Sequence, residues 1–334
     1  MTEILPTHTP ALFQKAVQRA AQLLCAGEVV ALPTETVYGL AANAFQPAAV
    51  EKIFTIKGRP ANNPIIVHVA GLDMAKACVK DFPAGAEKLA KSFWPGPLTM
   101  VLPRAGKIPD IVTAGGNTVG IRWPSHPFIQ AVIRECNFPL AAPSANVSNS
   151  ISPTNAGHVR KSLGEKIPLI VDGGQSQVGI ESTVLDLCET PARILRPGMI
   201  HAESLAAVVG EVQNSKCKIQ SLELRSPGLL QKHYSPRAKL LLLDWKNDAD
   251  LKSQIQNFKF KIQNCHVIAH TKIPSGENLA NVSVIPHDAE AFARAIYAEL
   301  HRGDEAGAKV IVVEAPPDTP EWSGIADRLR RASA

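Results

Sequence analysis

The sequence predicts an α/β protein: an open, twisted, mixed sheet with helices, followed by a smaller, doubly wound α/β domain. Three observations carry that reading. Short β-branched and aliphatic runs, about seven of them before residue 200, are interspersed with four or five stretches of helical apolar spacing. The texture changes near residue 201, and a polar stretch containing two Ser-Pro steps (Ser226-Pro227 and Ser235-Pro236) follows a helix-like run over 202–212. Beyond it, strands at 239–243, 266–269, 282–285 and 310–313 are separated by helices. The predicted organisation is a first domain over 1–212, a linker over 213–237 and a second domain over 238–334.

Taken in order, residues 11–26 place Phe13, Val17, Ala20, Leu23 and Leu24 at helical spacing and stop at Gly27. A strand over 28–32 leads into Pro33-Thr34-Glu35-Thr36-Val37-Tyr38-Gly39, a polar loop at the strand's carboxyl end, where ligands favour α/β sheets. The other reading is a turn whose threonines cap the next helix. Val50, Ile53, Phe54 and Ile56 predict a short helix that Gly58 stops. Arg59 precedes Pro60, which favours an extended backbone and sends its side chain out of the turn. Lys57, Arg59, Asn62 and Asn63 thus share a proline-pinned turn that suits a polyanion such as a triphosphate; a solvated basic turn is the alternative. In the strand over 65–69, Ile66 and His68 share one face, and His68 is either a satisfied core residue or a ligand.

A helix over 85–94 enters the Trp94-Pro95-Gly96-Pro97 corner, read as structural, before a strand over 98–102. Next come Gly115 and Gly116, which permit close backbone approach, and a strand whose alternation puts Thr118 and Arg122 on one face with Gly120 between them. Such an arginine suits a carboxylate or phosphate, or a surface salt bridge. The strand over 140–142 runs into a hydroxyl-rich loop with Ser144, Asn146, Ser148, Ser150, Ser152 and Thr154; Ser144 and Asn146 point the same way on an extended backbone. A strand with a polar start, Glu181-Ser182-Thr183, precedes the Arg196-Pro197-Gly198 run that closes the first domain. In the second domain Ala289, Phe292, Ile296 and Leu300 form one helical stripe. His266 and His270 fall on a strand and its exit, a poor metal pair.

Composition narrows the class. The chain has 334 residues, a net charge of +5, 45% hydrophobic and 5% aromatic residues. The charge permits an anionic ligand or RNA, but so few aromatics make a base-stacking platform unconvincing. Six scattered cysteines without a CxxC pair read as free thiols in a reducing cytosol. With no signal sequence and no apolar run near 18 residues, the expected location is cytoplasmic, without membrane contact. There is no Walker A pattern, GxGxxG, HExxH or GxSxG, and no cysteine in a nucleophile context. What remains is Lys, Arg, Ser, Thr and Asn on loops, a set that binds anions and positions substrates without a covalent nucleophile. Physical reasoning alone reaches a nucleotide-using transferase or a binder of acidic small molecules.

Lys57-Gly58-Arg59-Pro60, Pro143-Ser144-Ala145-Asn146, Pro33-Thr34-Glu35-Thr36-Val37-Tyr38-Gly39-Leu40 and Glu181-Ser182-Thr183 together resemble the YrdC-like family of threonylcarbamoyl-AMP synthases. Arg196-Pro197-Gly198 and His233-Tyr234-Ser235-Pro236 are similar to the long form of that family, which adds a linker and a Rossmann-like C-terminal α/β domain. The resemblance spans nearly the whole chain. It implies that L-threonine, bicarbonate and ATP, with Mg²⁺ on the phosphates and no protein metal ligand, give L-threonylcarbamoyladenylate and diphosphate. The product would feed a downstream complex that modifies tRNAs reading codons that start with A, with weak or indirect tRNA contact by this chain. Carried over by motif, Thr36, His68, Arg122, the backbone at Ala142, and Ser182 would hold threonine. Arg59, Asn63, Thr118, Ser144, Asn146, Ser152, Arg196 and Tyr234 would hold ATP, with Lys57 and Arg59 as the catalytic cations. Tyr234 in the linker implies a lid. An RNA-binding module of the same fold, or a sibling enzyme making another carbamoyl-adenylate, are the competing readings.

Overall fold

The computed structural model describes residues 1–214, 233–275 and 281–334. It divides into two compact units, Met1–Ser148 with Ser152–Leu229, and Asn149–Ile151 with Leu230–Ala334. Among the described residues no helix is long and apolar enough to cross a membrane.

The first unit opens with β1 (Glu3–Pro6) and α1 (Pro10–Cys25). Thr9 caps α1, its hydroxyl accepting from the Leu12 N–H, with Pro10 at the first helical position. Then come β2 (Val30–Leu32), β3 (Gly39–Asn43), α2 (Pro47–Lys57), β4 (Val67–His68), α3 (Leu72–Ala77) and α4 (Ala84–Phe93). β5 (Leu98–Pro103), α5 (Asp110–Thr113), β6 (Thr118–Arg122), α6 (Pro127–Cys136) and β7 (Leu140–Ala141) follow. The unit ends with α7 (Ala156–Leu163), β8 (Leu169–Asp172), β9 (Thr183–Asp186), β10 (Ala192–Arg196), α8 (Ala202–Val209) and β11 (Val212–Asn214). Eleven strands form one mixed sheet in the order β1-β8-β2-β3-β7-β4-β6-β5-β9-β10-β11.

Strand alternation buries both faces. Val30, Leu32, Ala41, Leu140, Leu169 and Val171 point to α1 and α6, which pack as a pair against them. Ala31, Leu40, Ala42, Val67, Met100 and Ile121 point the other way, into a larger core with α2, α4, α7 and α8. A fully buried Leu or Phe on either face contributes about 1.5–3 kcal/mol.

The strand and helix counts exceed the seven and the four or five expected. β1 and β11 are short, and the Gly-Leu-Ala-Ala-Asn of β3 carries little intrinsic strand preference, so pairing with β2 and β7 makes it a strand. The strand expected over 65–69 shrinks to β4, because the Ile65 N–H bonds the Val112 carbonyl and the Ile66 carbonyl accepts from Ala142 outside any ladder. The helix-like run over 202–212 stops at Val209, where Gly210 turns at φ 84 and lets β11 pair with β10. Gly58 ends α2 as expected, at φ 59 with open space around it, so conformation rather than crowding calls for glycine. Gly115 and Gly116 terminate α5, their N–H groups returning to Asp110 and Thr113.

In the second unit β12 (Lys239–Leu243), α9 (Asp248–Asn257), β13 (Cys265–Ala269), β14 (Asn281–Val284), α10 (Ala289–Glu305), β15 (Val310–Glu314) and α11 (Ser323–Ser333) build a four-stranded, all-parallel sheet. Its order is β12-β15-β13-β14. The predicted stripe of Ala289, Phe292, Ile296 and Leu300 is the buried face of α10. His266 and His270 go to separate partners: His266 Nε2 lies 3.0 Å from Ser283 Oγ, and His270 Nδ1 lies 2.8 Å from His287 Nδ1. The five cysteines among the described residues are free; Cys217 lies outside them.

Candidate active site

The motif residues of the first unit come from adjacent strands in the middle of its sheet, from β3 through β7, β4, β6 and β5 to β9, and from the loops beside them. The loop between β2 and β3 turns in on itself rather than capping a helix. Thr34 Oγ1 donates to the Val37 carbonyl at 2.6 Å and accepts from the Thr36 and Val37 N–H groups. With its proton so placed, Thr34 Oγ1 accepts from the Thr36 hydroxyl at 3.0 Å, and Thr36 Oγ1 accepts from Arg122 Nη1 at 2.9 Å. The order of donors along this chain is fixed.

Arg122, at the end of β6, is buried. Its Nε donates to the Gly96 carbonyl at 3.3 Å, so the Trp-Pro-Gly-Pro corner contributes to the site. Its Nη2 lies 2.7 Å from Glu35 Oε1, with both side chains about 95% buried. Burial pushes the Glu35 carboxyl up, but the charge and hydrogen bond of Arg122, aided by the Ser125 backbone, outweigh it and hold the group below the usual carboxylate range. Glu35 is the residue that sequence reasoning missed. The available signal was a carboxylate set between two threonines in an otherwise apolar stretch, which has to find a cation.

His68 pairs with Arg122 in register across β4 and β6 and with Leu140 across β7. Burial, then the Arg122 charge, lowers its pKa to about 3, so the ring is neutral at pH 7. At neutral pH it offers a ligand a neutral ring, not a cation. The Ala142 N–H donates to the Ile66 carbonyl at 3.1 Å, so its carbonyl is the backbone group it can offer a ligand.

Ser182, Thr99 and Arg196 form a second cluster. Ser182 Oγ lies 2.8 Å from Thr99 Oγ1, and Arg196 donates through Nε and Nη2 to the Ser182 carbonyl and through Nη2 to its hydroxyl. The Pro197-Gly198 turn presses against this segment: a Cβ on Gly198 would lie 2.5 Å from the Thr183 nitrogen, which only glycine avoids. Ser152 donates to Glu181 Oε1 at 2.5 Å, one residue before Ser182.

Two corrections concern the cationic turn. Arg59 does not leave it. Its Nε donates to the Asn63 carbonyl at 3.0 Å, and Nη2 donates to Asn63 Oδ1 at 2.7 Å and to the Pro64 carbonyl at 2.6 Å. Prolines 60 and 64 withhold N–H donors from the turn, and the guanidinium fork supplies them. Lys57 is buried, 1% exposed, and its Nζ donates to the Ser144 and Asn146 carbonyls, each at 2.5 Å. Burial, then the Arg59 charge, pushes its pKa well down. Lys57 thus ties the end of α2 to the Pro143–Asn146 loop, reinforced by the Ser148 N–H on the Lys57 carbonyl. That loop is tied in turn to the threonine loop, through Ala145 N–H to the Tyr38 carbonyl and Leu40 N–H to the Pro143 carbonyl.

Thr118 stands apart at the start of β6, four residues and roughly 13 Å of strand from Arg122. Tyr234 belongs to the second unit. Its backbone is left-handed at φ 63, and its ring stacks on Tyr297 at 6.0 Å beneath the Arg328 guanidinium at 5.4 Å. Most of the linker expected over 213–237 falls on residues 215–232, outside the described residues. No group of three His, Cys, Asp or Glu side chains able to hold a metal occurs among the described residues.

Comparison with known proteins identifies the family. The Sua5/YciO/YrdC family model, described as telomere recombination, matches residues 22–198, and that of the threonylcarbamoyl-AMP synthase C-terminal domain matches residues 200–334. The threonylcarbamoyl-AMP synthase of Bacillus subtilis is 39% identical over 337 residues, covering 100% of this chain and 96% of that one. That of Pyrococcus abyssi is 38% identical over 322 residues, covering 95% and 94%. The crystal structure of P. abyssi Sua5 complexed with L-threonine matches with a TM-score of 0.90 at 36% identity, covering 100% of this chain and 97% of that one. The chain belongs to the threonylcarbamoyl-AMP synthase family, in its two-domain, YrdC-like form.

Proposed function

We propose that this chain makes L-threonylcarbamoyladenylate and diphosphate from L-threonine, bicarbonate and ATP. The observation that carries the reading is the end-to-end match to P. abyssi Sua5, a protein that binds L-threonine in its crystal structure. The threonine α-ammonium and bicarbonate give a carbamate, releasing water and one proton. A carbamate oxygen then attacks the α-phosphorus of ATP in line and expels diphosphate. This chemistry needs positioning and charge neutralisation rather than a protein nucleophile.

Thr36, Arg122, His68, the Ala142 carbonyl and Ser182 would hold threonine. The Arg59–Asn63 turn, Thr118, Ser144, Asn146, Ser152 and Arg196 would hold ATP, and Tyr234 would close over it as part of a lid. Lys57 acts in this scheme by holding the Ser144–Asn146 loop in place. Mg²⁺ would arrive on the ATP phosphates and neutralise charge there, beside a site rich in cations and hydroxyls. The product would pass, in the cytoplasm, to the complex that modifies adenosine in tRNAs reading A-starting codons.

The test is diphosphate release from ATP and Mg²⁺ with threonine and bicarbonate omitted in turn, and mass spectrometry of the adenylate. Release that requires both is the expected result. Release without threonine would move the assignment to another acceptor. No release from folded protein, with salt-dependent tRNA binding instead, would make it an RNA-binding module.

A further inference from the structure

The buried Arg122–Glu35 pair has a member, Glu35, to which the reaction scheme gives no direct contact with substrate. Arg122 has five N–H donors, and three are directed at the Gly96 carbonyl, Thr36 Oγ1 and Glu35. Glu35 is 4% exposed. Arg122 and the Ser125 backbone hold it ionised, and these two partners do not fill the acceptor positions of its two oxygens. An ionised carboxylate has about four acceptor positions, and leaving them unmet in a buried setting is unfavourable. Donors are missing on the Glu35 side, and N–H groups remain on the Arg122 side.

A neutral ion pair attracts a lone anion weakly, because the carboxylate cancels the guanidinium field within a few ångströms. A zwitterion laid antiparallel to the pair meets both charges at once. We propose that Arg122 and Glu35 together read the two termini of a free α-amino acid: Arg122 takes its carboxylate, and Glu35 accepts N–H from its α-ammonium. The inference rests on the function proposed above and makes Glu35 a specificity-determining residue. The Thr36–Thr34 hydroxyl chain keeps the guanidinium from rotating, so the spacing of the two charges is set before substrate arrives.

The experiment is isothermal titration of the full chain with L-threonine and with 3-hydroxybutanoate, which is threonine without its amine. The wild type should prefer threonine by roughly 10–150-fold, the span of one charge-assisted hydrogen bond. Glu35→Gln should lose that preference by weakening threonine alone, with 3-hydroxybutanoate binding as before or tighter. Equal weakening of both ligands would mean that Glu35 merely props Arg122, and unchanged threonine affinity would remove it from the site; either overturns the proposal. If Glu35→Gln does not fold, Glu35→Asp keeps the charge and shortens the reach. It should reduce threonine binding more than 3-hydroxybutanoate binding, and equal losses refute the proposal there too. A wild type that binds neither ligand would refute the underlying function before any variant is made.

Discussion

Replacing Lys57 separates a structural from a chemical role for the most buried cation of the site. Its Nζ meets two carbonyls, those of Ser144 and Asn146, and the side chain is 1% exposed. Lys57→Ala orphans both acceptors, at roughly 1–3 kcal/mol each. It also removes three buried methylenes, at about 0.8 kcal/mol each. The sum is about 4–8 kcal/mol against a typical total stability of about 5–15 kcal/mol. Water entering the vacated space would meet the carbonyls and bring the loss towards the lower bound. Lys57→Met keeps most of the volume and isolates the carbonyl contribution, about 2–6 kcal/mol. Urea unfolding followed by circular dichroism, with turnover measured on the folded fraction, reads both effects. Large destabilisation in both variants, greater for Ala, is expected. A Lys57→Ala protein with the wild-type unfolding midpoint and abolished turnover would refute the reasoning, because the ammonium would then act on substrate rather than on the loop.

Arg122→Gln should destabilise the first unit by about 3–5 kcal/mol, since it leaves the Glu35 carboxylate buried without its cation; adding Glu35→Gln should recover much of that, as a double-mutant cycle in urea would show. Acid should weaken the first unit through His68. Its folded pKa of about 3 lies below the ordinary histidine value of 6.5, so its contribution is complete above pH 6.5 and is lost as pH falls from 6.5 towards 3. The slope approaches about 1.4 kcal/mol per pH unit within that window. Glu35, also held low, adds a loss of the same sign at more acid pH, and His68→Gln should remove the part of the slope above pH 5. Gly198→Ala should lower both stability and turnover, because the new Cβ meets the Thr183 nitrogen at 2.5 Å; an unchanged melting temperature would show that the turn can move aside. Deleting residues 226–237 should weaken ATP binding and reduce adenylate yield if the linker covers the pocket, and unchanged ATP affinity in a filter assay would refute the lid.

Much of the architecture is legible in local pattern. The period of two in Thr118–Arg122 and the helical stripe of α10 each arise from neighbours a few residues apart, so both appear in the sequence and both occur in the fold. The motif residues are legible for the same reason, since small, polar and cationic types stand out against apolar strands. β3 was not, because an Ala-rich strand is made by the strands on either side of it. Nor were the roles of Lys57 and Arg59 as closers of loops. A cation in a list of residues looks available, while in the fold it goes to whichever carbonyls lack donors.

By itself the sequence determined the α/β class, the doubly wound second domain, the motif positions and, through resemblance, the family. Only the tertiary structure decided who pairs with whom. Arg122 and Thr36 are 86 residues apart in the chain, and Lys57 and Ser144 are 87 apart. Hydrogen bonds and ion pairs act over about 3 Å, so nothing in local spacing encodes such partners until the sheet brings them together. The Glu35–Arg122 pair is of that kind: two charges unremarkable in sequence, made the electrostatic centre of the site by a shared burial that leaves each no better partner.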